Sequence, residues 1–171
     1  AQRIGFTQIS RSSEVSPLIK YIYRGDTTVV DAYLSPLLRR YVNQVQSQLP
    51  GVTLQFMQSH GGLVDAAHFQ GRDSILSGPA GGIVGAVKTS QRAGFEKIIS
   101  FDMGGTSTDV AHFNGNYERL WETEIAGVRM RVPSLAIHTV AAGGGSILKF
   151  DGQKYQVGPA SAGANPGPAC Y

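Results

Sequence analysis

One cysteine, Cys170, is all the sequence offers, so an internal disulfide is impossible. That excludes the small secreted scaffolds that rely on disulfides in place of a core, and the chain reads as cytoplasmic. Long apolar runs are missing too. No stretch approaches the roughly eighteen residues of a membrane-spanning helix, and the N-terminus lacks the charged-then-apolar order of a secretion signal. Nor is there a surplus of either charge: fifteen Lys and Arg stand against twelve Asp and Glu, a formal +3, and no basic run exceeds Arg39-Arg40. So mild and dispersed a balance argues against nucleic acid, and neither nucleic acid nor a membrane is expected as a partner. There is no initiator methionine, and the sequence stops after the Gly/Pro-rich stretch 158–170 with no closing element. The expectation is a fragment of a longer protein.

Glycine, in contrast, is abundant at 22 residues, nearly twice its average usage of roughly 7%. The excess is clustered, which points to loops built from backbone. One cluster organises the rest: Phe101-Asp102-Met103-Gly104-Gly105-Thr106-Ser107-Thr108-Asp109-Val110. The run Lys97 to Phe101 enters it and Val110 to Phe113 leaves it, which reads as a strand, a tight loop and a returning strand. Gly104 and Gly105 let the backbone bend and approach a ligand with no Cβ in the way, so that several N–H groups can face one anion. Thr106, Ser107 and Thr108 add hydroxyl donors, and Asp102 and Asp109 at the mouth can hold a divalent cation. The loop is neither a P-loop, since no Lys-Ser or Lys-Thr closes it, nor a strand-to-helix dinucleotide fingerprint. A plainer reading of the same residues is a tight hairpin whose Thr and Asp side chains satisfy the turn.

Along the chain, residues 1–24 are poorly patterned and read as a connector or an edge strand. Thr27 or Thr28 can cap a helix with apolar positions Val30, Leu34, Leu37, Leu38, Tyr41, Val45 and Leu49 at spacings of three and four, kinked or broken at Pro36. Val52 to Met57 follows as a strand, and Gln58 to Gly62 as a turn in which His60 is either a ligand-facing group or an ordinary surface histidine. Val64 to Phe69 reads as a short helix. Ser77 caps a helix of about four turns ending before Gly94. Its early Gly81, Gly82 and Gly85 have two competing accounts, close packing or a helix N-terminus facing a phosphate or base. Beyond the glycine loop, Asn114-Gly115 turns the chain into a third strand, Tyr117 to Ile125, completing an antiparallel meander. Val128 to Val132 reads as another strand. Gly143, Gly144 and Gly145 follow a β-branched run and mark a further backbone loop, and Ile147 to Val157 reads as a hairpin through Asp151-Gly152. The whole is expected to be one α/β unit, helix-rich over 1–95 and β-rich over 96–171.

Three stretches read together carry a resemblance: Leu76-Ser-Gly-Pro-Ala-Gly-Gly82, Phe101 to Val110, and Thr139-Val-Ala-Ala-Gly-Gly-Gly-Ser146. With Thr27 to Pro36, Met57 to Leu63, Val157 to Gly163 and Asn165 to Tyr171, the sequence resembles the hydantoinase A / 5-oxoprolinase family over nearly its whole length. That resemblance implies a ribonuclease H-like, actin-type ATPase half-domain, with the meander carrying the second of two phosphate loops and the first lying outside this sequence. It implies ATP with Mg2+ or another divalent cation, a cyclic amide such as 5-oxoproline or a hydantoin as substrate, a hydantoinase B-like subunit or domain as partner, and a possible homo-oligomer. Sugar kinases, ketone carboxylase subunits and ATP-gated modules share the superfold and stand as alternatives. Residue by residue, it points to Asp102 and Asp109 as catalytic carboxylates, to Gly104, Gly105, Thr106, Ser107, Thr108, Gly81, Gly82 and Gly143 to Gly145 as nucleotide contacts, and to Asp102 and His138 as metal contacts. His60 departs from the pattern, which has Asn or Asp there. Activity is expected of the full-length protein and not of residues 1–171 alone.

Overall fold

The recurrence of apolar residues at spacings of three and four produces the longest element. In the computed structural model, which describes residues 1–125, 127–165, 167 and 168, a 3₁₀ turn at Gln2–Ile4 and one turn of helix, α1 (Ser12–Val15), precede the 28-residue helix α2 (Tyr21–Gln48). The first 24 residues contain no strand. Helix α2 starts earlier than a threonine cap would allow, because Thr27 and Thr28 lie inside it. Their hydroxyls donate back to the carbonyls of Tyr23 and Arg24, at 3.2 and 2.7 Å, the in-helix alternative to capping. The helix is not broken at Pro36.

What α2 buries is mostly polar. Thr27, Asp31 and Ser35, one turn apart, are buried together with Val42, whereas Leu37, Tyr41 and Leu49 are exposed. Asp31 accepts from Ser10 Oγ at 2.6 Å, Ser35 Oγ at 3.1 Å and the Arg72 amide at 3.2 Å. The 3₁₀ turn Gly71–Asp73 docks on this seam. A Cβ on Gly71 would stand 2.7 Å from the Ser35 amide nitrogen, so only glycine fits.

The described chain divides into two units, one formed by 1–84 and 118–135 and the other by 85–117 and 136–171. In the first unit β1 (Gln55–Met57) pairs antiparallel with β2 (Leu63–Asp65). The segment expected as a helix from Val64 therefore begins as a strand and continues as a 3₁₀ turn, Ala66–His68. Helix α3 (Ser77–Arg92) begins at Ser77 itself. The cap is Leu76, whose carbonyl accepts the Ala80 amide at 3.0 Å and whose φ of 56° is unusual for a residue with a side chain.

In the second unit β3 (Lys97–Met103) and β4 (Thr108–Asn114) form the expected hairpin, paired over seven residues. The third strand of that sheet is not Tyr117 to Ile125. That segment makes one bridge, Tyr117 to Phe113, beyond the Asn114-Gly115 turn, and then splits into β5 (Arg119–Leu120) and β6 (Thr123–Ile125). These belong to the first unit, where β6 pairs with β7 (Val128–Met130) and β5 with β8 (Ser134–Leu135). Arg131 draws the segment there: its amide donates to Thr27 Oγ1 at 3.0 Å and its guanidinium to Glu122 at 3.1 Å and to the Ile19 carbonyl at 3.3 Å. The place beside β4 is taken by β9 (His138–Val140), giving the order β3-β4-β9. The hairpin β10 (Ser146–Phe150) and β11 (Tyr155–Ser161) matches its reading from sequence. The stretch 165–171 falls largely outside the described residues, Cys170 included.

Candidate functional site

Register in the β3-β4-β9 sheet decides which side chains can cooperate. Asp102 lies directly opposite Asp109, and Asp109 opposite Thr139, so all three share one face of the sheet. Ala111 and Phe113 on that face are buried, while Asp102 at its end is exposed and Asp109 half-buried. Asp109 Oδ1 accepts the Thr139 hydroxyl at 2.6 Å. Two carboxylates opposed across a ladder repel one another, and a cation between them relieves that repulsion. His138 pairs with Val110, which puts it on the other face, away from both aspartates. Among the described residues no three His, Cys, Asp or Glu side chains gather as a ready-made metal site.

The tip of the hairpin is tied back at one point, by the Gly104 amide donating to the Ser107 carbonyl at 2.9 Å. Among the described residues the amides of Gly105, Thr106 and Ser107 donate to no protein acceptor. Gly105 and Thr106 are exposed and Ser107 is half-buried. The tip thus leaves donors open on three consecutive residues. Thr108 is engaged differently: it is buried, and its Oγ1 donates to the Ala142 carbonyl at 2.6 Å.

The second glycine loop is bonded to the first. The Gly144 amide donates to the Gly104 carbonyl at 2.9 Å and the Gly145 amide to the Gly105 carbonyl at 2.8 Å, while the Gly143 amide donates to Ser146 Oγ at 3.0 Å. A Cβ on Gly143 would lie 2.5 Å from the Gly104 oxygen, and one on Gly145 2.9 Å from the Gly105 oxygen. Gly143 and Gly145 are thus bare because two backbones touch. Gly81 and Gly82 lie in the first turns of α3, in the other unit. Gly81 faces Met57, where a Cβ would make an ordinary contact at 3.6 Å, and Gly82 is exposed. The sequence reading missed Thr139 as the partner of Asp109. Alternation along a strand starting at His138 was the available signal.

These features define an α/β protein with antiparallel sheets and a hairpin tip built from glycine backbone between two carboxylates. The chain belongs to the hydantoinase/oxoprolinase family, whose model matches residues 24–171. It is 49% identical to the 5-oxoprolinase of Saccharomyces cerevisiae over all of this chain and 14% of that protein. It is 39% identical to caprolactamase subunit alpha of Pseudomonas jessenii, over 92% of this chain and 24% of that protein. The crystal structure of the ATP-dependent caprolactamase from the same organism superposes with a TM-score of 0.76 at 35% identity, covering 95% of this chain and 25% of that one. Nucleotide-free acetone carboxylase superposes with a TM-score of 0.73 at 28% identity, over 88% of this chain and 22% of that one. The chain therefore spans about a quarter or less of the length of these relatives.

Proposed function

We propose that in the full-length protein this chain supplies a phosphate-binding hairpin to an ATP-dependent hydrolase that opens a lactam or cyclic ureide of the 5-oxoproline or hydantoin type, on a ribonuclease H-like, actin-type fold. The observation that carries the reading is the row of free amides at Gly105, Thr106 and Ser107 between Asp102 and Asp109, in a chain 49% identical throughout to a 5-oxoprolinase.

A cyclic amide resists water because its carbonyl is resonance-stabilised and its leaving group is poor. ATP, when bound, supplies a phosphoryl group that removes the resonance protection at the carbonyl oxygen. The chain's part is to hold charge. The three amides and the hydroxyls of Thr106 and Ser107 donate to phosphoryl oxygens, where most catalysis of phosphoryl transfer lies. Exposed Asp102 positions Mg2+ or another divalent cation, and Asp109, oriented by Thr139, is its second carboxylate. Thr108 and Gly143 to Gly145 brace the loop from behind. His138 takes no part in the same ion, and Gly81 and Gly82 lie in the first turns of α3, where neither is held bare by close packing. The proposal includes a cytoplasmic setting and a hydantoinase B-like partner, in keeping with the subunit naming of the caprolactamase relative.

The test is phosphate release by the full-length protein with 5-oxoproline, with hydantoin, and with acetone plus bicarbonate. Release that depends on a cyclic amide is the expected result, and Asp102→Asn lowers it by at least about 100-fold. Release that ignores the cyclic amide, or full activity in Asp102→Asn, removes the reading. Likeness to acetone carboxylase favours ketone carboxylation as the second reading, which dependence on acetone and bicarbonate would establish.

A further inference from the structure

Helix α2 is amphipathic in the reverse of the usual sense. Its inward face is formed by Thr27, Asp31, Ser35 and Val42. At about 3.6 residues per turn, Ile22, Val29, Tyr33 and Leu37 fall in one stripe on the opposite side, where they are 73%, 69%, 72% and 47% exposed. A surface helix ordinarily turns its apolar stripe to the core and its charges to water. A row of large apolar side chains left in solvent over about 22 Å is instead a surface for association.

The stripe also carries two charges, and they decide what covers it. Asp26 and Arg40 lie on it, seven residues to either side of Tyr33, and neither has an ion-pair partner among the described residues. Val29 and Leu37 stand four residues to either side of the same tyrosine. Opposite charges and matched apolar residues, placed symmetrically about one position, complement their own reverse. A second copy of α2 laid antiparallel, with the two-fold axis at Tyr33, brings each Asp26 level with the other copy's Arg40, each Val29 level with Leu37, and Tyr33 against itself. Laid parallel, the same stripe sets Asp26 on Asp26 and Arg40 on Arg40. A two-fold interface has to be self-complementary in the first way, and helices packed roughly 8–10 Å apart keep both charged pairs within reach.

We infer that α2 is a dimerisation surface, on which two copies of this chain pair antiparallel through Ile22, Val29, Tyr33 and Leu37, with an ion pair between Asp26 and Arg40 at each end. Burial of the apolar stripe supplies the attraction, and the charges select the antiparallel arrangement over the parallel one. None of these residues belongs to the phosphate hairpin, so the inference stands or falls apart from the proposed function.

The test uses the full-length protein, with its dimer Kd read by analytical ultracentrifugation. Asp26→Arg and Arg40→Asp each raise that Kd at least about tenfold, because each sets like charges together at both ends of the helix pair. The two changes combined recover most of the loss, since the reversed charges again meet their opposites. Tyr33→Cys reads the axis itself: facing Cα atoms fall within the roughly 7 Å that a disulfide spans, so mild oxidation gives a covalent dimer through residue 33. Arg39→Cys, exposed on another side of α2, gives none. Tyr33 and Arg40 are exposed, so their variants report on association even where Asp26→Arg disturbs the fold. A monomeric wild type, charge reversals that leave the Kd unchanged, or a Tyr33→Cys protein that does not cross-link overturns the inference, and the stripe is then covered by another part of the full-length chain or by a different protein.

Discussion

Gly104 and Gly143 are neighbours in the site, yet they need to be bare for different reasons, and two substitutions separate them. A Cβ on Gly104 meets nothing closer than the Ser107 oxygen at 3.7 Å, so Gly104→Ala leaves stability within about 0.5 kcal/mol. On the proposed function it nonetheless weakens ATP binding at least tenfold, because the methyl stands where a phosphate approaches. A Cβ on Gly143 meets backbone at 2.5 and 2.8 Å, which cannot move as a side-chain tip can, so Gly143→Ala costs about 1–3 kcal/mol. Thermal melts and nucleotide titrations of the full-length protein check both, and undiminished ATP binding by Gly104→Ala removes this loop from the nucleotide site. Asp151 carries a prediction of another kind. Its Oδ1 accepts the amides of Lys154 and Gln153, each at 2.9 Å, and Oδ2 accepts Gln156 Nε2 at 2.8 Å. These donors, the Lys154 amide foremost, hold its carboxyl below the ordinary 3.8. A depressed folded pKa means that the bonds contribute fully above the unfolded value and are lost as pH falls through the folded one. The Gln153 and Lys154 amide resonances should therefore titrate with a midpoint below 3.8. A midpoint at or above that value contradicts the turn geometry.

Elements held by local chemistry were legible in the sequence, and elements held by distant partners were not. Both long hairpins follow from turn residues, Gly104-Gly105 and Asp151-Gly152, and α3 from its apolar run and the Pro79 in its first turn. Strand β9 could not be placed beside β4 from pattern alone, because it lies about thirty residues on, and the claim of Arg131 on Thr27 and Glu122 is what takes Tyr117 to Ile125 out of the sheet. The same holds for the site. The carboxylates and free amides sit in one short motif, while the stacking of Gly143 to Gly145 on Gly104 and Gly105 depends on that non-local pairing. Helix α2 misled in a third way, since its apolar positions suggested the buried face and Asp31 turned out to anchor it. Asp31→Ala leaves Ser10 Oγ and the Arg72 amide without their acceptor and should cost about 2–3 kcal/mol, with Asp31→Asn costing less because one acceptor oxygen remains. Urea denaturation measures both, and a loss under about 0.5 kcal/mol for the alanine variant would show that the polar seam does not hold α2.

On the scale of the molecule, the β3-β4-β9 sheet has one face that its own unit leaves uncovered. Ile98, Ser100, Ala111 and Phe113 lie on the more buried face, and the alternate residues point the other way. Of those, Ile99 is 76% exposed, Phe101 67%, Met103 55% and Val140 48%. An antiparallel sheet that meets water on one face ordinarily shows polar residues there. A contiguous apolar patch on a soluble chain is instead a surface for association. Residues 1–171 produced alone should therefore bind a hydrophobic dye such as ANS and associate as concentration rises. Ile99→Lys with Phe101→Lys should lower both signals, since the two side chains stand on the exposed face and fill no core. Dye fluorescence and light scattering on the two proteins at matched concentration decide the matter. A dye-silent, monomeric wild type would mean that this face is covered from within the chain itself.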